Sequence, residues 1–201
     1  MKLSKDQEYL ATIKRYHKVV SHLECDKEIN RVDKIWSHLK TLKNIRRLSG
    51  IALIQPYTVA IHCYYTGILF QEIADYEEIP INKSEIDFVF RHDILESITG
   101  DLLLPVKMHS DSVNKKWNEI EEELVESKYT YLEFYTDSTA KVYFHPPSWN
   151  LFKACDLFEL YLFCLEEVQL GNANDGILAV IKNCNNLLPE FKIDYITKKL
   201  I

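Results

Sequence analysis

In the run FVFRHDILESITGD, the adjacent pair His92-Asp93 interrupts an otherwise apolar helical pattern, with Glu96 following and Gly100-Asp101 ending it. A side chain that carries charge or a bare nitrogen is costly in an apolar segment unless it is paired or bound to a cation. Helical spacing puts His92 and Glu96, four positions apart, on one face. Two ligand-type side chains followed by a carboxylate can hold an ion and accept a proton from water. The fold must then bring further ligands to this place from elsewhere in the chain.

Two other apolar stretches each carry one such group. His62 sits in YTVAIH and Asp156 in FKACD. Taken singly, His62 also reads as a hydrogen-bonded core histidine, and Asp156 as a carboxylate favoured by the dipole at a helix N-terminus. Taken together, His62, His92, Asp93 and Asp156 form a mixed nitrogen and oxygen set. That set suits Mn, Fe, Co, Zn or Ni better than Ca or Mg.

The periodicity predicts an all-α chain. Helices are expected over Lys5 to about Leu23, from Asp26 or Asp33 to about Ile45, and from Thr58 to Tyr76. A fourth is expected from a Ser84 cap to Gly100, and a fifth from Asp111 or Ser112 through Val125. Residues 128–149 have strand-like composition in YTYLEFY and KVYFH, and are expected to be a loop or short irregular segment. A long apolar helix capped by Ser148 should run from Asn150 to Leu170, stopped by Gly171-Asn172. A last helix from Asp175 to Leu187 and a further one after Pro189 complete the pattern. Five Gly and six Pro in 201 residues agree with a helix-rich chain. One domain over 1–201 is expected, with residues 1–44 a possible N-terminal helical extension.

The five cysteines include no CxxC pair, so a zinc ribbon or dithiol redox motif is excluded, and the thiols are expected to be free in a reducing cytosol. No apolar run approaches a membrane span, and the charged N-terminus lacks a signal-type core. A cytoplasmic protein with no membrane partner is expected. With a net charge of −6 and no basic stripe, long nucleic acid is a poor partner. His17, His22, His38, His109 and His145 lack ligand spacing with the cluster and read as structural or solvated.

The order His62, His92-Asp93, Asp156 resembles the H…HD…D pattern of the HD-domain metal-dependent phosphohydrolases. HDILESITGDLLLPVK and FKACDLFELYLFCLEEVQLGN resemble, more narrowly, the YfbR-type 5'-deoxynucleotidase subgroup, over roughly Arg47 to Asn172. The resemblance implies an HD-domain helical bundle holding one divalent transition metal, with Co, Mn or Zn foremost. It implies Glu96 as general base, helped by Asp93, and Arg47 orienting the substrate phosphate. It also implies a nucleotide site lined by Asp101, Leu102, Leu103 and Leu104, a deoxynucleotide substrate, and a homodimer. Two positions depart from the subgroup. Leu48 stands where tryptophan is usual, which leaves the sugar preference open, and Ile61 where glutamate usually precedes the histidine. Removal of the 5'-phosphate from deoxynucleoside monophosphates is the leading expectation. A dNTP triphosphohydrolase and a metal-stabilised nucleotide-binding module are the alternatives.

Overall fold

A computed structural model describes residues 26–102 and 111–200. The chain divides into two compact units, residues 1–36 and 37–201; the helix over Asp26–Leu42 runs through the boundary, and the elements after it belong to the second. It is all-α. Helix α1 covers Asp26–Leu42, α2 Val59–Tyr76, α3 Lys83–Val89, α4 Glu96–Thr99 and α5 Asp111–Lys128. A 3-10 helix at Thr130–Tyr135 leads to α6, Asp137–Tyr143, then α7, Pro146–Gln169, and α8, Asp175–Leu187. A second 3-10 turn, Leu188–Phe191, precedes α9, Asp194–Thr197. No strand occurs among the described residues; a lone antiparallel bridge joins Arg46 to Thr58. The helix expected over residues 5–23 lies outside the described residues.

Helices α2 and α7 are apolar around most of their circumference, as befits helices packed on several sides. They form the central pair, with α8 on α7 and α3 on α2. Gly67 permits the last of these contacts. A Cβ there would meet the Phe90 ring at 2.5 Å. Beneath the α3–α7 contact, Phe88 is fully buried, edge-on to Phe144 at 5.3 Å and to Phe152 at 5.5 Å between centroids.

Helix ends explain where the sequence expectations shift. Asn82, not Ser84, caps α3: its Oδ1 accepts from Ser84 N at 2.8 Å and Glu85 N at 3.1 Å, and Glu85 accepts from Asn82 N at 2.7 Å in return. Such a reciprocal box satisfies donors on both sides of the cap. The helix expected to continue to Gly100 instead stops at Val89 and passes through tight turns over residues 90–95. Its ladder tightens at Arg91, whose N–H donates to Phe88 O at 2.9 Å, and the His92 ring then takes the Val89 carbonyl, Nδ1 to O 2.8 Å. Residues 128–149 are not irregular. With no partner strand among the described residues, the segment winds into helical turns that bury Leu132, Tyr135, Ala140 and Phe144, and Thr136 caps α6. Helix α7 starts earlier than expected, at Pro146 after the His145 N-cap, since proline is well suited to the first helical position. Ser148, within its first turn, donates to Glu85 at 2.5 Å.

Two buried carboxylates brace the bundle. Glu85 takes His145 N and Ser148 Oγ on one oxygen and Asn82 N on the other, joining the starts of α3 and α7. Glu167, on α7, accepts from Ile54 N and Gln55 N at 2.8 Å each. Asn172 and Asn174 donate hydrogen bonds from their side-chain amides to Ala52 O. These contacts pin the segment between α1 and α2 that carries Arg47 and Leu48. Replacing Glu85 by Ala strands two backbone donors, Asn82 N and His145 N, while Ser148 Oγ keeps His145 O at 2.8 Å. We expect a loss of about 2–4 kcal/mol in urea unfolding at neutral pH; a loss below about 0.5 kcal/mol would show that Glu85 is no brace.

Candidate metal centre

His62 lies in the second turn of α2, fully buried, and is aimed by contacts on both ring nitrogens. Its Nδ1 is 2.5 Å from Glu159 Oε2 on α7, and its Nε2 is 2.9 Å from Asp156 Oδ1. His92, whose side chain is 5% exposed, turns its Nε2 to within 3.2 Å of His62 Nε2. Asp93 Oδ2 lies 3.4 Å from His92 Nε2 and 3.7 Å from His62 Nε2, and Asp156 Oδ1 is 3.7 Å from His92 Nε2. The adjacent pair His92-Asp93 faces one point because the tight turn over residues 90–95 replaces the expected continuous helix. Ligand atoms of His62, His92 and Asp93 all lie within 4.8 Å of one another, and Asp156 is in reach of both imidazoles.

Proton bookkeeping on the rings tests whether a cation fits. Val89 O can only accept, so His92 Nδ1 carries a hydrogen. An ionised Glu159 can only accept, so His62 Nδ1 does too. In neutral rings both Nε2 atoms then present lone pairs to each other across 3.2 Å, beside two carboxylates. That arrangement is repulsive without a positive charge among the four groups. A histidine that gives its outer N–H to a carboxylate or carbonyl and its other nitrogen to an ion is the usual pattern around a bound metal. The donor set therefore fits a divalent transition metal.

Without an ion, a proton serves in its place. Burial alone would push the His92 imidazole down, yet Asp93, with Asp156 bonded to it, holds it well above the ordinary histidine range. Burial would raise Asp156, but hydrogen bonds from His62 and His92 hold it well below the usual carboxylate value. Asp93 is lowered likewise, burial being outweighed by His92, Arg47 and His62.

Arg47 donates from Nη1 to Asp93 Oδ2 at 2.7 Å. Its backbone N–H donates to Tyr57 O at 3.0 Å, and its guanidinium lies 5.8 Å from the centre of the Tyr57 ring. Leu48, next to it, takes a left-handed backbone at φ 51° and packs on the cluster around Leu160 and Ile177. A cavity of about 1040 Å³ opens over the cluster. Arg47, Leu48, Glu96, Asp101 and Leu102 all line it, together with Lys153 and Trp149. Glu96 is only 5% exposed and begins α4, its N–H bonded to Asp93 O. Leu103 and Leu104 lie outside the described residues, as do His17, His22 and His109. His38 is engaged elsewhere, with Ser97 Oγ at 2.6 Å and Tyr131 OH at 2.8 Å, and His145 caps α7. Ile61 points outward, 37% exposed, so it does not support the His62 ring. Sequence reasoning missed Tyr57 and Glu159. The available signal was a carboxylate three positions after Asp156 in an apolar helix, which shares its face.

The profile of a family described as 5'-deoxynucleotidase YfbR-like matches residues 34–194. No curated protein matches the chain significantly. Among solved structures, an HD-domain phosphohydrolase from Listeria innocua is similar at TM-score 0.69 and 19% identity, over 84% of this chain and 87% of that one. The cyanophage S-2L HD phosphohydrolase DatZ, solved with dA and one catalytic Zn2+ ion, is similar at TM-score 0.58 and 17% identity, over 80% and 87%. A Pyrococcus horikoshii protein gives TM-score 0.61 and 17% identity, over 82% and 96%. At these identities the structures speak for a common fold.

The charge pattern fixes a pH response for the metal-stripped chain. A raised His92 contributes stability that is complete below the ordinary histidine value and is lost as pH rises through its folded value. Depressed Asp93 and Asp156 contribute stability above the ordinary carboxylate value that is lost as pH falls. The stripped chain should melt highest between roughly pH 4.5 and 6.5 and progressively lower on the alkaline side. Excess divalent ion should flatten that alkaline decline in thermal scans. An alkaline decline unchanged by ions would show that no cation replaces the proton.

Proposed function

The chain belongs to the YfbR-like family of 5'-deoxynucleotidases, and from that premise we propose that it removes the 5'-phosphate of deoxynucleoside monophosphates. It is a hydrolase acting on deoxynucleotides. The finer reading rests on one observation: the Nε2 atoms of His62 and His92 converge with Asp93 and Asp156 beside a half-buried arginine, at the floor of a cavity large enough for a nucleotide.

In this reading His62, His92, Asp93 and Asp156 hold one divalent ion, with Co, Mn or Zn the candidates. Such an ion, when bound, polarises the phosphoryl group and acidifies a water molecule. Arg47 receives the phosphate oxygens; its guanidinium stays charged and can form paired hydrogen bonds. Its ion pair with Asp93 sets it beside the cluster before substrate arrives. Glu96 takes a proton from the attacking water, and its seclusion in the cavity wall suits a base that must stay clear of bulk solvent. Asp101 and Leu102 meet the nucleoside, and Leu48 lies against the sugar side. The zinc and deoxyadenosine of the cyanophage relative support this assignment by analogy of fold. We read residues 1–44 as an extension to the HD domain, and the chain as a cytoplasmic homodimer. No helix among the described residues is long and apolar enough to cross a membrane.

A phosphate-release panel over deoxy- and ribonucleoside mono- and triphosphates, with added Mn, Co or Zn, tests the reading. Phosphate and nucleoside are expected from dNMPs, with activity abolished by chelation. Asp93→Ala and Glu96→Ala should each lower kcat by about 100- to 10,000-fold. Arg47→Ala should lower kcat/KM by roughly 10- to 100-fold. Tripolyphosphate among the products would favour the triphosphohydrolase instead, and inertness toward every nucleotide with every ion would end the proposal.

A further inference from the structure

Two buried polar residues behind the cluster take no part in the chemistry above. Tyr57, 1% exposed, and Glu159, 4% exposed, meet His62 at its rear nitrogen. Glu159 Oε2 receives the Tyr57 hydroxyl at 2.5 Å and the His62 Nδ1–H at 2.5 Å. The hydroxyl is itself 3.3 Å from Nδ1, the two donors converging on one oxygen. Tyr57 sits in an apolar cluster with Leu160, Phe163 and Ile177, all buried. A carboxylate held in such a place is costly unless each bond it makes is strong and aligned.

Tyr57 is itself rigidly held. Its ring stacks on Phe163 at 3.8 Å between centroids and 9° between planes. Its carbonyl takes the Arg47 N–H, and its ring lies under the Arg47 guanidinium. One residue therefore grips the arginine arm with its backbone and ring, and a ligand-holding carboxylate with its hydroxyl.

We infer that Tyr57 and Glu159 are positioning residues for the metal centre: together they fix the orientation and tautomer of His62 so that Nε2 alone faces the ion. This rests on the metal reading above and extends it to residues outside the ligand set. The negative charge of Glu159 makes the imidazole a stronger electron donor, and the Tyr57 hydroxyl stops the carboxylate from rotating. The outward-facing Ile61 leaves Glu159 as the carboxylate at His62 Nδ1.

The test uses the full chain, stripped of ions and reloaded with cobalt. Affinity is read by competition with a chromophoric chelator, ligand geometry by the visible cobalt bands, and the His62 tautomer by long-range proton–nitrogen NMR. Tyr57→Phe and Glu159→Gln should each weaken cobalt binding by about 10- to 100-fold and alter the bands. The NMR should show Nδ1–H in the parent and a tautomer mixture in Glu159→Gln. At saturating cobalt, KM in Tyr57→Phe should stay within about two-fold of the parent, because the ring beneath Arg47 remains. Should Glu159→Gln not fold, Tyr57→Phe, which lacks a single oxygen, decides alone. Parent-like affinity and bands in the folded variants overturn the inference while leaving the metal reading intact. A parent that binds no cobalt overturns both.

Discussion

Two imidazole lone pairs facing each other across 3.2 Å in a secluded place are the constraint on which this bundle turns. They are tolerable only with positive charge among them, and they stay there only if each ring is held from behind. The chain meets the second need with acceptors that cannot donate, the Val89 carbonyl and the Glu159 carboxylate. These come from α3 and α7, while the rings come from α2 and the turn after α3. The site is thus a property of how the central helices pack. The aromatic packing around Phe88 and the close approach at Gly67 fix the distance between the ligand-bearing segments.

The electrostatic logic continues outward. Arg47 neutralises part of the carboxylate charge through Asp93, and Glu167 anchors the segment that delivers it. Glu85, Glu159 and Glu167 each accept from two or more donors. An uncompensated charge there would destabilise the fold more than a missing methylene would.

Much of this could be read from the sequence, and the reason is chemical. His62, His92-Asp93 and Asp156 stood out because each interrupts an apolar stretch, and the fold brings them within a few ångströms. The ends of α2 and α8 were legible from the periodicity. The break after Val89 was not, because it consists of tightened backbone pairing at Arg91 and a side chain, His92, folded back on a backbone carbonyl, and spacing carries no trace of either. The helical turns at 130–143 were missed because aromatic and β-branched residues favour strands only where a partner strand exists. Glu159 was passed over because one carboxylate in a long helix looks like many others until a tyrosine and a histidine converge on it. The position after Arg47 is a local matter too: Leu48 keeps the left-handed backbone that turns the chain, and its side chain faces a large apolar cluster.

The tight turn that carries His92-Asp93 has a consequence for how such a protein can change over time. Neighbouring residues aim at one point here only because the winding between Val89 and Glu96 has a set length, locked at one end by the imidazole and at the other by the Glu96 amide on Asp93. Adding or deleting one residue would swing one tooth of this two-pronged fork away while leaving the other in place. Length variation should therefore accumulate in the exposed connections, and the fork should be inherited as an indivisible unit.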